Sequence, residues 1–193
     1  VRSRRQRQMC IRDSSDRAKE RFVEVHTLRF YLDLNKYINS QAQNSTPFTP
    51  NVGLFRGINA YVELVKHEGF NHVIQRHYSI RNALRAALKA LDLDLLVKDD
   101  LQASPTVTSF VPSSQEELQA IKDQLKSRFN ITIAGEQGHL KGKILRIGHM
   151  GKVSPFDILS VVSSLEIILT ANRNKSYIGK GITQFMEVIN HES

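Results

Sequence analysis

The chain has 193 residues, 40% of them hydrophobic and 24% charged, with a formal charge of +8 and a single cysteine. Such a length and apolar content suit one full domain or two small ones with a real core, and they exclude a disordered chain. The lone Cys10 excludes disulfide frameworks and cysteine metal clusters, and it agrees with a reducing, cytoplasmic setting. The charge suggests nucleic acid until its placement is read. Five of the 27 basic residues (Arg2, Arg4, Arg5, Arg7, Arg12) fall in the first twelve positions, and residues 13–193 carry only +3. The remaining Lys and Arg alternate with Asp and Glu, without the interleaved aromatics that stack single-stranded bases, so no nucleic-acid partner is expected. No apolar run approaches the ~18 residues of a membrane span, and the first twenty residues lack the apolar stretch of a secretory signal, so no membrane partner is expected either.

In chain order, VRSRRQRQMCIRDSS (1–15) has no hydrophobic period and reads as a disordered basic tail. It also resembles a translated sequencing-adapter remnant at the broken end of a gene, which would put the first genuine residue near Ser14. DRAKERFVEV can form a short helix, and LRFYLDLNKYI leads into another helix or turn. QAQNSTPFTPNV is a polar break whose two prolines stop regular structure. Ile58, Tyr61, Val62 and Val65 then repeat at helical spacing. Gly69 divides that run from a second one carrying Phe70, Val73, Ile74, His77, Leu84, Leu88 and Leu91.

The last hundred residues mix the two periods. LDLLV (93–97), SPTVTSFVP (104–112), NITIA (130–134) and KILRIGH (143–149) are predicted strands. EELQAIKDQLKSRF is a helix with Leu118, Ile121 and Leu125 on one face. SPFDILSVVSSLEIILTA is another, with Ser154 as N-cap, Pro155 at the first helical position, and Ile158, Val161, Val162, Leu165 and Leu169 on one face. This order predicts an α+β domain over residues 70–171, with helices covering one face of a small, largely antiparallel sheet. Residues 172–193 read as a tail whose apolar end (Phe185, Met186, Val188, Ile189) can form a short helix. Residues 16–69 have no strands for a sheet of their own and read as the trailing edge of a larger domain. On that reading the chain is a C-terminal fragment and exposes apolar surface that the rest would cover.

Within KILRIGH the side chains alternate between faces. Leu145, Ile147 and His149 share one face, toward the helices, and Ile144, Arg146 and Gly148 share the other. A guanidinium fixed on a strand presents a planar fork that matches a carboxylate, and Gly148 and Gly151 leave little bulk beside it. Spacing alone leaves two readings of Arg146 open, a structural ion pair and a ligand-binding arginine. His149 suits a supporting hydrogen bond more than catalysis, and His77, on an apolar stripe, a packed or interface position. His67, His72 and His77 are five apart, which does not gather them on one helix face, so no metal site is expected. GEQGH (135–139) fits turn residues. Ser104, Thr106 and Thr108 alternate and suit either a pocket wall or an edge strand.

TPFTPNVGLFRGINA, EGFNHVIQRH, LRAALKALDLDL, SPTVTSF and above all GHLKGKILRIGHMG, in this order, resemble the pyridoxal-phosphate-dependent class V aminotransferases, in the branch of the alanine–glyoxylate and serine–pyruvate (serine–glyoxylate) enzymes. The resemblance runs from about Ser15 to about Ala171. It implies a type I aminotransferase fold, α/β in the parent, of which residues 16–69 are the end of the large cofactor-binding domain with the interdomain helix, and residues 70–171 the small C-terminal domain. It implies a homodimer, pyridoxal 5'-phosphate as cofactor, and transfer of an amino group from a small amino acid to a 2-oxo acid such as glyoxylate or pyruvate. Arg146 then matches the arginine that binds the substrate α-carboxylate. Thr49 matches the threonine that reaches the cofactor phosphate of the partner subunit; without the resemblance it reads as a turn or cap residue.

The family's Schiff-base lysine lies shortly before the position matched by Asp16–Arg17–Ala18. The window holds VRSRRQRQMCIRD, without a lysine, and Lys19 belongs to the following helix, so no residue is assigned a catalytic role. The alternative is a non-catalytic module that keeps an anion site at Arg146 or binds a partner. Within the family, carbon–sulfur chemistry is disfavoured because its cysteine loop has no counterpart after Cys10.

Overall fold

The computed structural model describes residues 15–25, 30–135 and 138–192. The expectations for residues 1–14, and for Glu136 and Gln137 in the GEQGH stretch, lie outside them. The chain divides into two compact units between Val62 and Glu63.

In the first unit, α1 (Asp16–Glu24) starts at Ser15, whose hydroxyl accepts the Ala18 N–H, and α2 (Leu34–Ala42) starts at Asp33, whose carboxylate accepts the Asn35 N–H. These are ordinary side-chain caps for otherwise orphaned N–H groups. Residues 45–51 are irregular, as the prolines require. Helix α3 (Val52–Glu68) follows, and the unit boundary falls inside it; it buries none of its residues. Leu54, Phe55, Ile58 and Tyr61 are among its exposed apolar side chains.

Within the second unit, Gly69, whose φ of 88° is a left-handed conformation, separates α3 from α4 (Phe70–Ala90). The strands are β1 (Asp94–Leu95), β2 (Val107–Val111), β3 (Ala134–Gly135) and β4 (Leu145–Gly148), in the order β1-β2-β4-β3, and every pairing is antiparallel. Helices α5 (Gln115–Phe129), α6 (Pro155–Asn172) and α7 (Lys180–Glu192) complete the unit. Leu95, Phe110, Leu145 and Ile147 bury one face of the sheet in a single core with Ile80, Leu84 and Leu88 of α4, Ile121 and Leu125 of α5, and Leu165 and Leu169 of α6. The expected α+β architecture, with helices on one sheet face, is therefore present. Ser154 and Asp157 close a capping box over Pro155 at the start of α6, as its sequence predicts.

Several expectations shift. The strand predicted over 130–134 shrinks to Ala134–Gly135, because Asn130 adopts φ 55° as the C-cap of α5 and the Ile131 N–H turns back to the Leu125 carbonyl. The run over 93–97 pairs only at Asp94 and Leu95. Residues 172–192 are integral to the second unit: α7 packs on α4 and α6 and buries Phe185 completely. Glu166 of α6, 1% exposed, anchors its start by accepting the N–H groups of Gly179 and Ile182, both at 2.8 Å. Helix α6 is long and apolar enough to cross a membrane by length and composition, contrary to the sequence expectation, yet it carries the core residues just named.

Gly181 lets α7 approach closely. A Cβ there would lie 3.0 Å from Val162 Cγ1 and 3.1 Å from Leu91 Cγ, and both neighbours are fully buried. Helix propensity alone favours alanine over glycine by up to ~1 kcal/mol. Overpacking a closed core costs about 1–3 kcal/mol. Gly181→Ala is expected to lower the urea midpoint of unfolding; a raised midpoint would show that Leu91 and Val162 can give way.

Candidate functional site

Strand β4 carries the candidate residues because its alternation is enforced by the core. Leu145, Ile147 and the residue just beyond the strand, His149, are buried toward the helices, while Arg146 and Gly148 point to the opposite face. Ile144 departs from the expected pattern. It precedes the strand and is buried, 2% exposed, so the alternation begins only at Leu145.

Arg146 is half-buried. Its Nε and Nη2 both donate to the Gly135 carbonyl of β3, at 3.2 and 3.0 Å, next to the pairing of Ala134 with Arg146. The guanidinium plane is thus held at the β3 edge of the sheet, on the face away from the main core. A rigid fork in that position has the right donor geometry for a carboxylate.

Beneath the sheet, His149 is fully buried. Its Nε2 lies 2.9 Å from Thr108 Oγ1 of β2, and its backbone N–H donates to the Thr106 carbonyl at 2.8 Å. Its Nδ1 is buried without a hydrogen-bond partner. Burial is the main cause holding the imidazole pKa down to about 4, with His77 and Arg81 of α4 disfavouring its cation further. His77 is buried as well and bonds the Val73 carbonyl through Nδ1 at 2.6 Å. These histidines are structural supports: His149 braces β4 against β2 directly behind Arg146. Thr108 proves to be its partner. Ser104 and Thr106 lie before β2, which is an inner strand, so the edge-strand reading does not hold for them.

The loop leaving β4 is pinned by a residue that sequence reading passed over. Arg76 of α4 donates to the carbonyls of Gly151 and Val153. The only available signal was its place in the EGFNHVIQRH stretch.

Thr49 belongs to the first unit and Arg146 to the second. Thr49 is exposed in the irregular segment before α3. Its neighbour Phe48 stacks with Phe30, Tyr31 and Tyr37, at centroid distances of 5.4, 4.9 and 6.1 Å. Thr46 Oγ1 donates to the Phe48 carbonyl at 2.8 Å, and Asn51 Oδ1 accepts the Leu54 N–H at 3.0 Å. The aromatic cluster anchors the turn, and Thr49 beside it is exposed, with a hydroxyl of the kind that can donate to a phosphate oxygen. Taken separately, these donors, a hydroxyl and a guanidinium, suit the anionic groups of pyridoxal phosphate and of an amino acid. They do not include the group that would hold the cofactor's aldehyde carbon, since no lysine precedes Lys19. Among the described residues, no group of three His, Cys, Asp or Glu side chains could hold a metal ion.

No family model matches the chain. It is 44% identical over 155 residues to the soluble hydrogenase small subunit of Synechococcus sp. (strain PCC 6716), covering 80% of this chain and 40% of that protein. It is 38% identical over 143 residues to an uncharacterized aminotransferase of Methanocaldococcus jannaschii, covering 72% of this chain and 36% of that one. Among solved structures, pyridoxamine–pyruvate aminotransferase from Mesorhizobium loti superposes with a TM-score of 0.79 at 27% identity, over 93% of this chain and 47% of that chain. Other similar proteins are named for aspartate or serine as partner of glyoxylate. The chain spans less than half the length of the curated relatives it matches.

Proposed function

Because the chain belongs to the pyridoxal-phosphate-dependent aminotransferase family, we propose that it supplies the substrate-carboxylate arm of an enzyme that moves an amino group from alanine or serine to a 2-oxo acid such as glyoxylate or pyruvate. The observation that carries this reading is Arg146, held edge-on by Gly135 on an inner strand, with Gly148 two positions on in the same strand. The class V branch of alanine–glyoxylate and serine–pyruvate enzymes, a homodimeric assembly and a cytoplasmic setting belong to the same proposal. Residues 16–69 would be the end of the large domain and residues 70–171 the body of the small one.

Pyridoxal phosphate supplies the electron sink for amino transfer when it is bound in such an enzyme. The work of this chain's residues is positional. Arg146 would bind the α-carboxylate of donor and acceptor alike, and so would fix the orientation of the α-carbon. Thr49 would donate its hydroxyl to the phosphate of the cofactor held by the partner subunit. His149 and Thr108 keep the arginine strand in register. Hydrogenase is the name of similar proteins and not of this chain, whose arginine fork offers carboxylate recognition.

The test is amino transfer by the complete polypeptide loaded with pyridoxal phosphate, with alanine and serine as donors and glyoxylate and pyruvate as acceptors. The coding sequence upstream of Asp16 is read alongside it. A lysine in that segment together with turnover supports the proposal. Absence of both favours the second reading, a non-catalytic anion-binding or partner-binding module, for which the lysine-free stretch of residues 1–18 speaks.

A further inference from the structure

Arg76 uses its guanidinium as a three-way tie within the second unit. Nε and Nη2 donate to the two carboxylate oxygens of Glu68, at 2.6 and 3.1 Å. Nη1 donates to the Gly151 carbonyl at 3.1 Å and the Val153 carbonyl at 2.8 Å. Glu68 is the last residue of α3, on the far side of the Gly69 joint from Arg76. Gly151 and Val153 belong to the loop that leaves β4, and Gly151 turns that loop with a φ of 78°. Both charged side chains are mostly covered, with 22% and 33% exposure. The Glu68 carboxyl is held below its ordinary range chiefly by this hydrogen bonding.

The other end of the same loop is fixed too, since the His149 N–H is bonded to Thr106. The segment from Gly148 to Val153 is therefore clamped at both ends, and Arg146 stands two residues before it. We propose that Arg76 is a positioning residue, which ties the loop beside the carboxylate-binding arginine to the joint between α3 and α4. Its consequence for substrate binding rests on the reading of Arg146 given above; the tie itself does not.

A guanidinium suits this task and an ammonium does not. Arg76 reaches a carboxylate with one edge and two carbonyls with another corner of a single rigid plane. Lysine carries its three donors on one atom and cannot span those acceptors together. Arg76→Lys therefore keeps the charge beside Glu68 and releases the loop.

The experiment is backbone ¹⁵N relaxation of the full chain, with the Arg146 Nε–H signal followed during titration with glycolate, an unreactive small 2-hydroxy acid. Wild type, Arg76→Lys, Glu68→Gln and Arg146→Ala are compared. In the wild type, residues 150–153 should show order parameters near the rigid ~0.85, falling toward ~0.6 in Arg76→Lys while those of α4 stay unchanged. Glycolate affinity at Arg146 should fall about tenfold, on the order of the net loss of one or two hydrogen bonds. If Arg76→Lys does not fold, Glu68→Gln decides in its place through a smaller drop in the same loop. A loop already flexible in the wild type, or equally rigid in the folded variants, overturns the tie. Glycolate binding that ignores Arg146→Ala, or no response of the wild-type Arg146 signal, overturns the carboxylate reading instead, and the relaxation data then still judge the tie.

Discussion

Arg146→Ala is expected to lower kcat/KM of the complete, cofactor-loaded protein by about a hundredfold or more, for amino-acid donor and 2-oxo-acid acceptor alike. Truncating one partner of a hydrogen-bonded charge pair in a covered site costs about 2–5 kcal/mol, and each 1.4 kcal/mol is tenfold. Part of the loss should appear in kcat, because a substrate free to rotate about its carboxylate presents the wrong bond to the cofactor. Arg146→Lys should recover only a fraction, since one ammonium cannot reproduce the fork that Gly135 now orients through Nε and Nη2. An amine that lacks a carboxylate should be indifferent to both changes. If the variant loses activity equally toward substrates with and without a carboxylate, Arg146 is a structural residue of the sheet.

The two faces of the arginine strand were legible because a period of two leaves few choices once Leu145 and Ile147 must enter the core. The helices α5 and α6 were legible for the same kind of reason, since Leu118, Ile121 and Leu125, and Ile158, Val161 and Leu165, repeat at helical spacing and are all buried. What was not legible depends on partners far along the chain. Asn130 looked like the first residue of a β-branched strand, but as a helix cap it takes a left-handed conformation that ends pairing before it starts. Thr108 meets His149 across 41 positions, and Arg76 meets Gly151 across 75. Nothing local marks either contact. The terminal segment was underrated because its polar residues dominate the composition. Tyr177 and Phe185 reach the core there, and Gly181 and the Glu166 carboxylate, which make that docking possible, act only in three dimensions.

Acid should destabilise the fold earlier than its carboxylates require, and His149 should be the cause. Its imidazole titrates near 6.5 when solvated and at about 4 in the folded chain, with burial as the first cause and the facing His77 and Arg81 of α4 as further ones. Between those values the unfolded chain binds a proton that the folded chain refuses. The contribution is therefore fully present above about pH 6.5, shrinks as the pH falls, and is gone below about 4. One pKa unit is 1.36 kcal/mol, so the whole window amounts to about 3 kcal/mol, of which about 2 kcal/mol is lost by pH 5. Glu117 acts lower down. Burial raises its pKa, but the Arg173 guanidinium and the Ser113 N–H and hydroxyl bring it to about 2 against 4.5 in solution, so its contribution persists until the pH drops through that lower range. Urea unfolding at pH 7, 6 and 5 should show wild-type stability falling with the slope of one proton. In His149→Gln, which keeps a polar group facing Thr108 but cannot titrate, the curve should be flatter over the same interval. Parallel curves for the two proteins would mean that the buried imidazole takes up its proton in the folded state, and that the unpartnered Nδ1 finds an acceptor when it does.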